Sequence, residues 1–88
     1  MEDRITLKVV TASGVVLDRL VSYVSLPTPD GSVGILADHA PMLCAVGDGF
    51  IRYRCDGNEM HTLSVAQGVA GIQDNALTVL VERAQSAG

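Results

Sequence analysis

The residues best equipped for chemistry lie in GILADHAPMLCAVGDG, residues 34–49, which sets Asp38 and His39 beside an Ala40-Pro41 step and ahead of Met42 and Cys44. An imidazole near a thiol is the pairing of a base with a nucleophile, and a neighbouring acid could orient the ring. The local setting opposes that chemistry. His39 falls in a loop before Pro41, whereas Cys44 alternates with apolar neighbours as a strand residue does, and a buried thiol is a poor thiolate. No G-x-S-x-G turn accompanies it to hold an oxyanion. His39, His61, Cys44 and Cys55 also lack the C-x-x-C or H-x₃-H spacings that wrap ligands around zinc.

Two further groups have plain readings. Gly47-Asp48-Gly49 lacks the G-x-x-x-x-G-K-[ST] pattern of a phosphate cradle and reads as a tight turn between strands. Arg52 and Arg54 share one face of a strand, as a solvated stripe paired with acids on a neighbouring strand or as a docking site for an acidic partner. The residues thus predict no catalytic centre, cofactor or metal.

Composition sets outer bounds. The chain has 88 residues, 48% hydrophobic and 18% charged, with six basic against ten acidic side chains, no Trp and a single Phe. So short a chain holds one core, and so apolar a chain leaves part of its greasy surface uncovered, which predicts a partner. A net charge of −4 works against neutralising phosphates, and the scarcity of aromatic rings leaves no stacking platform, so nucleic acid is excluded. No run approaches the roughly eighteen apolar residues that span a bilayer, and MEDRITLKVV is unlike a signal peptide. The expectation is a cytosolic protein with Cys44 and Cys55 reduced, each a small buried hydrophobe.

The elements that must position these residues have period two almost throughout. In ITLKVVT, Ile5, Leu7 and Val9 share one face and Thr6 and Lys8 the other. Ser13-Gly14 turns the chain into VVL. LVSYVSL, residues 20–26, is apolar on both faces and predicts a strand covered on each side. Thr28-Pro29-Asp30-Gly31 is a turn, SVGIL and MLCAV are short strands, and FIRYRC alternates Ile51, Tyr53 and Cys55 with the arginines. Asp56-Gly57-Asn58 supplies a hairpin turn before MHTLSVA. GVAGIQ comes next, and Asp74-Asn75 turns into ALTVLVE, where Leu77, Val79 and Val81 face one way. Only VERAQSAG carries helix-forming residues. Eight to ten short strands with no helical period predict an all-β antiparallel sandwich or barrel.

Leu26-Pro27, Asp30-Gly31, Gly34-Ile35-Leu36, His39-Ala40-Pro41, Leu43, Gly49, Gly68 and Leu77-Thr78-Val79-Leu80-Val81 together resemble the amino-terminal half of the epsilon subunit of F-type ATP synthases. The likeness runs colinearly from about residue 4 to residue 84. It implies a flattened antiparallel sandwich of about ten strands over residues 1–84, a short tail at 85–88, and a non-catalytic rotor subunit without cofactor. Such a subunit binds gamma along one side and touches the polar loops of the c-ring with one end, peripheral to the cytoplasmic face of the membrane. The alternative is a free-standing β-sandwich interaction module.

The resemblance places Thr11, His39, Ala40, Pro41, Met42 and Cys44 on the gamma-binding side, and Thr28, Pro29, Asp30, Gly31 and Ser32 on the turn facing the c-ring. Pro41 restrains Ala40 and stiffens the loop, so His39 either meets a partner or is satisfied by Asp38 or a backbone carbonyl. Departures are Ala37-Asp38 where the family usually has Pro-Gly, Ser32 where an acid is common, Gly47-Asp48 for Lys-Pro, and Ala66-Gln67 for Ser-Gly. The helical hairpin usual in the family would begin at AQSAG, so neither a braking role nor ATP binding is expected.

Overall fold

The computed structural model describes residues 4–55 and 59–87. Ten strands occur in chain order: β1 Ile5–Thr11, β2 Gly14–Val21, β3 Tyr23–Thr28, β4 Gly31–Ile35, β5 Met42–Val46, β6 Gly49–Arg54, β7 Met60–Val65, β8 Gly68–Gln73, β9 Ala76–Val81 and β10 Ala84–Ser86. The predicted turn at 56–58 lies outside the described residues.

The strands form two five-stranded sheets. One has the order β2-β1-β9-β8-β5 and the other β10-β7-β6-β3-β4. Pairing is antiparallel except between β1 and β9, which run parallel. The alternation read from the sequence holds at Ile5, Leu7 and Val9, which are fully buried, and at Leu77, Val79 and Val81, which close the same layer. Val24, Leu26, Ile35 and Ile51 fill the core from the facing sheet. Each such side chain contributes about 1.5–3 kcal/mol relative to exposure.

The chain passes repeatedly between sheets, and backbone hydrogen bonds tie the crossings down. Ser22 N–H donates to the Arg54 carbonyl at 2.8 Å, Gly47 N–H to Pro27 at 2.9 Å, Ala66 N–H to Arg83 at 3.0 Å and Glu82 N–H to Gln67 at 3.1 Å. Gly47-Asp48 is therefore a crossing from β5 to β6 rather than a hairpin turn.

Three expectations need correction. LVSYVSL is not one doubly covered strand: it breaks at Ser22, where the chain leaves the first sheet, and Leu20 is exposed on an edge strand. The helix-forming tail is β10, because its backbone pairs with the open edge of β7 from Ala84↔Val65 to Ser86↔Leu63. Tertiary pairing overrides local propensity there, and the sandwich extends past residue 84. Arg52 lies beside Ser25 and Thr62, and Arg54 beside Tyr23 and Met60, so neither has an acid across the strand. The Arg54 guanidinium instead sits 5.7 Å from the centre of the Tyr23 ring.

Candidate docking surface

His39 and Pro41 lie in the connection from β4 to β5. Asp38 enters it with φ of 64°, a left-handed conformation uncommon for a side-chain-bearing residue. Asn75 holds it, accepting the Asp38 N–H through Oδ1 at 2.6 Å and donating through Nδ2 to Asp38 Oδ1 at 3.2 Å. The His39 ring is satisfied by a backbone carbonyl: Nδ1 lies 2.7 Å from the Ala40 oxygen. A carbonyl only accepts, so the neutral ring carries its proton on Nδ1 and keeps Nε2 as an acceptor.

β5 is an edge strand, and its two sides differ. Met42 and Cys44 turn inward and pack against the core. Burial raises the Cys44 thiol pKa above its ordinary value. Leu43, between them, is 86% exposed and leans across Gly71 of β8. Cys55 is buried.

Thr11 lies far from this loop in the sheet, at the end of β1 that turns into β2, where its Oγ1 accepts the Ser13 N–H at 3.2 Å. Register nevertheless links it to Cys44. On the outer face of the first sheet, Val15 pairs with Val10, Val10 with Leu80, Leu80 with Val69, and Val69 with Ala45. This apolar row crosses all five strands, about 19 Å at the usual strand spacing. It begins beside Thr11 and ends beside Cys44. Val15, Val69 and Leu80 are 57%, 53% and 49% exposed. The next row, Asp18-Lys8-Thr78-Gly71-Leu43, is polar until it reaches Leu43. Sequence reading missed Leu43, Val69 and Leu80 as surface residues; their signal was apolar side chains on both faces of β5, β8 and β9.

The Thr28–Ser32 turn joins β3 to β4 in the other sheet. The Thr28 hydroxyl donates to the Gly31 carbonyl and accepts the Asp30 N–H at 3.3 Å. Gly31 takes φ of 119°, which a β-carbon would disfavour. Because Gly47 bonds to Pro27 just past the end of β5, this turn and the His39 loop lie at opposite ends of β5. The structure thus groups His39, Ala40, Pro41, Met42 and Cys44, and separates both Thr11 and residues 28–32 from them. Among the described residues, no group of three or more His, Cys, Asp or Glu side chains comes together as a metal site.

These features define a small two-sheet β-sandwich domain with an apolar row across the outer face of one sheet and a histidine loop at the other end of β5, next to Leu43. Residues 4–87 match the beta-sandwich domain of the ATP synthase Delta/Epsilon chain, and the chain belongs to that family. It is similar to the ATP synthase epsilon chain of Nitratidesulfovibrio vulgaris strain Miyazaki F, with 39% identity over 87 residues, covering 99% of this chain and 64% of the relative. It is also 39% identical over 79 residues to that of Synechococcus sp. strain JA-2-3B'a(2-13), covering 90% of this chain and 57% of the relative. The chain therefore spans roughly three fifths of these relatives.

In fold it is similar to a chain of the Euglena gracilis mitochondrial ATP synthase OSCP/F1/c-ring assembly. The TM-score is 0.91 at 18% identity, over 98% of this chain and 55% of the other. A chain of the Tetrahymena thermophila central stalk and c-ring superposes with a TM-score of 0.78 at 16% identity, over 93% and 66%.

Proposed function

We propose that this domain is the docking sandwich of an epsilon subunit in the rotor of an F-type ATP synthase. It binds gamma along β5, from the His39 loop past Leu43 to the apolar row at Ala45, and directs the Thr28–Ser32 turn at the c-ring. The observation that carries this reading is the unbroken row Val15-Val10-Leu80-Val69-Ala45, together with Leu43. A large solvent-facing apolar patch on a small domain marks a partner site. The relatives are epsilon chains, and the fold neighbours belong to an OSCP/F1/c-ring assembly and to a central stalk and c-ring.

The role is mechanical. Joining the ring to gamma lets proton-driven rotation reach the catalytic head, and a coupling piece works only if it does not deform under load. The hydrogen-bonded crossings between sheets supply that stiffness here. The domain performs no chemistry and takes no cofactor in this role. In this role it associates peripherally at the cytoplasmic face of the membrane.

Size-exclusion chromatography with purified gamma tests the first contact. Co-elution at micromolar concentration is expected, with an interface above about 1,000 Å² in total. Separate elution of two folded proteins would reject it in favour of a free-standing interaction module. The second contact is tested by cross-linking from Asp30→Cys in assembled enzyme: adducts should form with the c-ring and be absent from an Asp74→Cys control at the opposite end of the sandwich.

A further inference from the structure

We infer that Asn75 is a positioning residue for the gamma-facing segment His39–Cys44, an inference that rests on the gamma-binding reading above. Asn75 belongs to the β8–β9 turn and has φ of 61°. Its own carbonyl accepts the Thr6 N–H at 2.9 Å, so the turn is anchored to β1. From that anchor its side chain makes the reciprocal pair with Asp38, Oδ1 accepting the backbone N–H at 2.6 Å and Nδ2 donating to Oδ1 at 3.2 Å.

Both contacts fall on the residue whose left-handed φ sets the direction in which the chain leaves for His39. The bond from His39 to Ala40 is internal to the loop and anchors it to nothing, and Pro41 stiffens the entry to β5 without fixing where the loop points. The Asp38–Asn75 pair joins loop to sandwich. An amide suits position 75 because it offers an acceptor and a donor at once. A carboxylate would keep the acceptor, lose the donor and oppose Asp38 with a second negative charge. A loop released from the clamp spends part of its time in conformations that do not bind, and apparent affinity falls by that fraction.

The experiment titrates gamma against the full chain and three variants. Asn75→Gly deletes the amide while tolerating the positive φ. Asn75→Asp sets two carboxylates face to face. Asp38→Asn combined with Asn75→Asp exchanges the partners, so that a carboxylate at 75 accepts from both the residue 38 N–H and the new amide. Each single variant is expected to bind gamma about tenfold more weakly while staying folded, and the exchanged pair to recover to within about threefold of the parent. Hydrogen exchange at the Asp38 amide should accelerate in Asn75→Gly, with the amides of β9 unchanged.

Parent-like affinity in Asn75→Gly, or failure of the exchanged pair to recover, overturns the positioning role. If the parent chain itself does not bind gamma, the functional reading falls and this role falls with it, whereas Asp38 exchange still reports whether the clamp exists.

Discussion

Gly68 and Leu80 approach so closely across β8 and β9 that a β-carbon on Gly68 would lie 1.9 Å from the Leu80 carbonyl oxygen and 2.7 Å from the Val81 α-carbon. The obstacle is backbone, which cannot swing aside like a side chain. Gly68→Ala must push β8 off β9 where both carry the apolar row, and is expected to cost about 3 kcal/mol, the upper part of the range for overpacking. Urea denaturation reads this directly, and an unchanged midpoint would contradict the close approach.

Leu43 separates binding from stability. Its side chain is almost wholly in solvent, so Leu43→Ala should leave unfolding free energy within about 0.5 kcal/mol of the parent. Gamma affinity should fall about tenfold or more, as for a central anchor of an interface. Isothermal titration alongside thermal melts distinguishes the two effects, and undiminished affinity would remove Leu43 from the docking surface.

Leu26 and Leu20 make a complementary pair. Leu26 is fully buried, whereas Leu20 is about half exposed on the edge strand β2. Leu26→Ala should lose about 2–5 kcal/mol, and each kcal/mol lowers Tm by roughly 4–8 °C in a domain of this size. Leu20→Ala should stay within about 0.5 kcal/mol. Calorimetry on the two variants checks the assignment of inner and outer faces.

Cys44 carries a pH dependence. Burial disfavours the thiolate and raises its pKa in the folded state. The folded state holds the thiol proton more tightly than the unfolded chain does, so the contribution to stability is fully present below the pKa of the unfolded thiol. It is lost as pH rises through the folded one. Alkylation by iodoacetamide in the native protein should therefore be slower at pH 8 than in urea, and should accelerate at higher pH than for an unstructured thiol. Cys44→Ala should flatten the alkaline fall in stability; equal native and denatured rates at pH 8 would contradict the burial.

Strands β5, β8 and β9 mark the boundary of what was legible in the sequence. MLCAV, GVAGIQ and ALTVLV could each be placed as strands with their ends nearly correct, because turn chemistry at Gly47-Asp48 and Asp74-Asn75 and the run of apolar residues are local signals. The inward set Leu77, Val79 and Val81 was legible by period alone. Leu80 and Val69 were not legible as a surface, since strand alternation states only which residues share a face.

What the amino-acid sequence determined by itself was local: period-two strands, the residues of one apolar core, the turn at Thr28–Gly31, and the colinear motif from Leu26-Pro27 to the final strand. The tertiary structure alone decided which sheet each strand joined, that β1 lies beside β9, that β10 covers the edge of β7, and that Asp38 meets Asn75. Those pairings join residues far apart in the chain, and register between strands depends on the packing of the whole sandwich rather than on any one segment. It is register that lines up Val15, Val10, Leu80, Val69 and Ala45 into one surface.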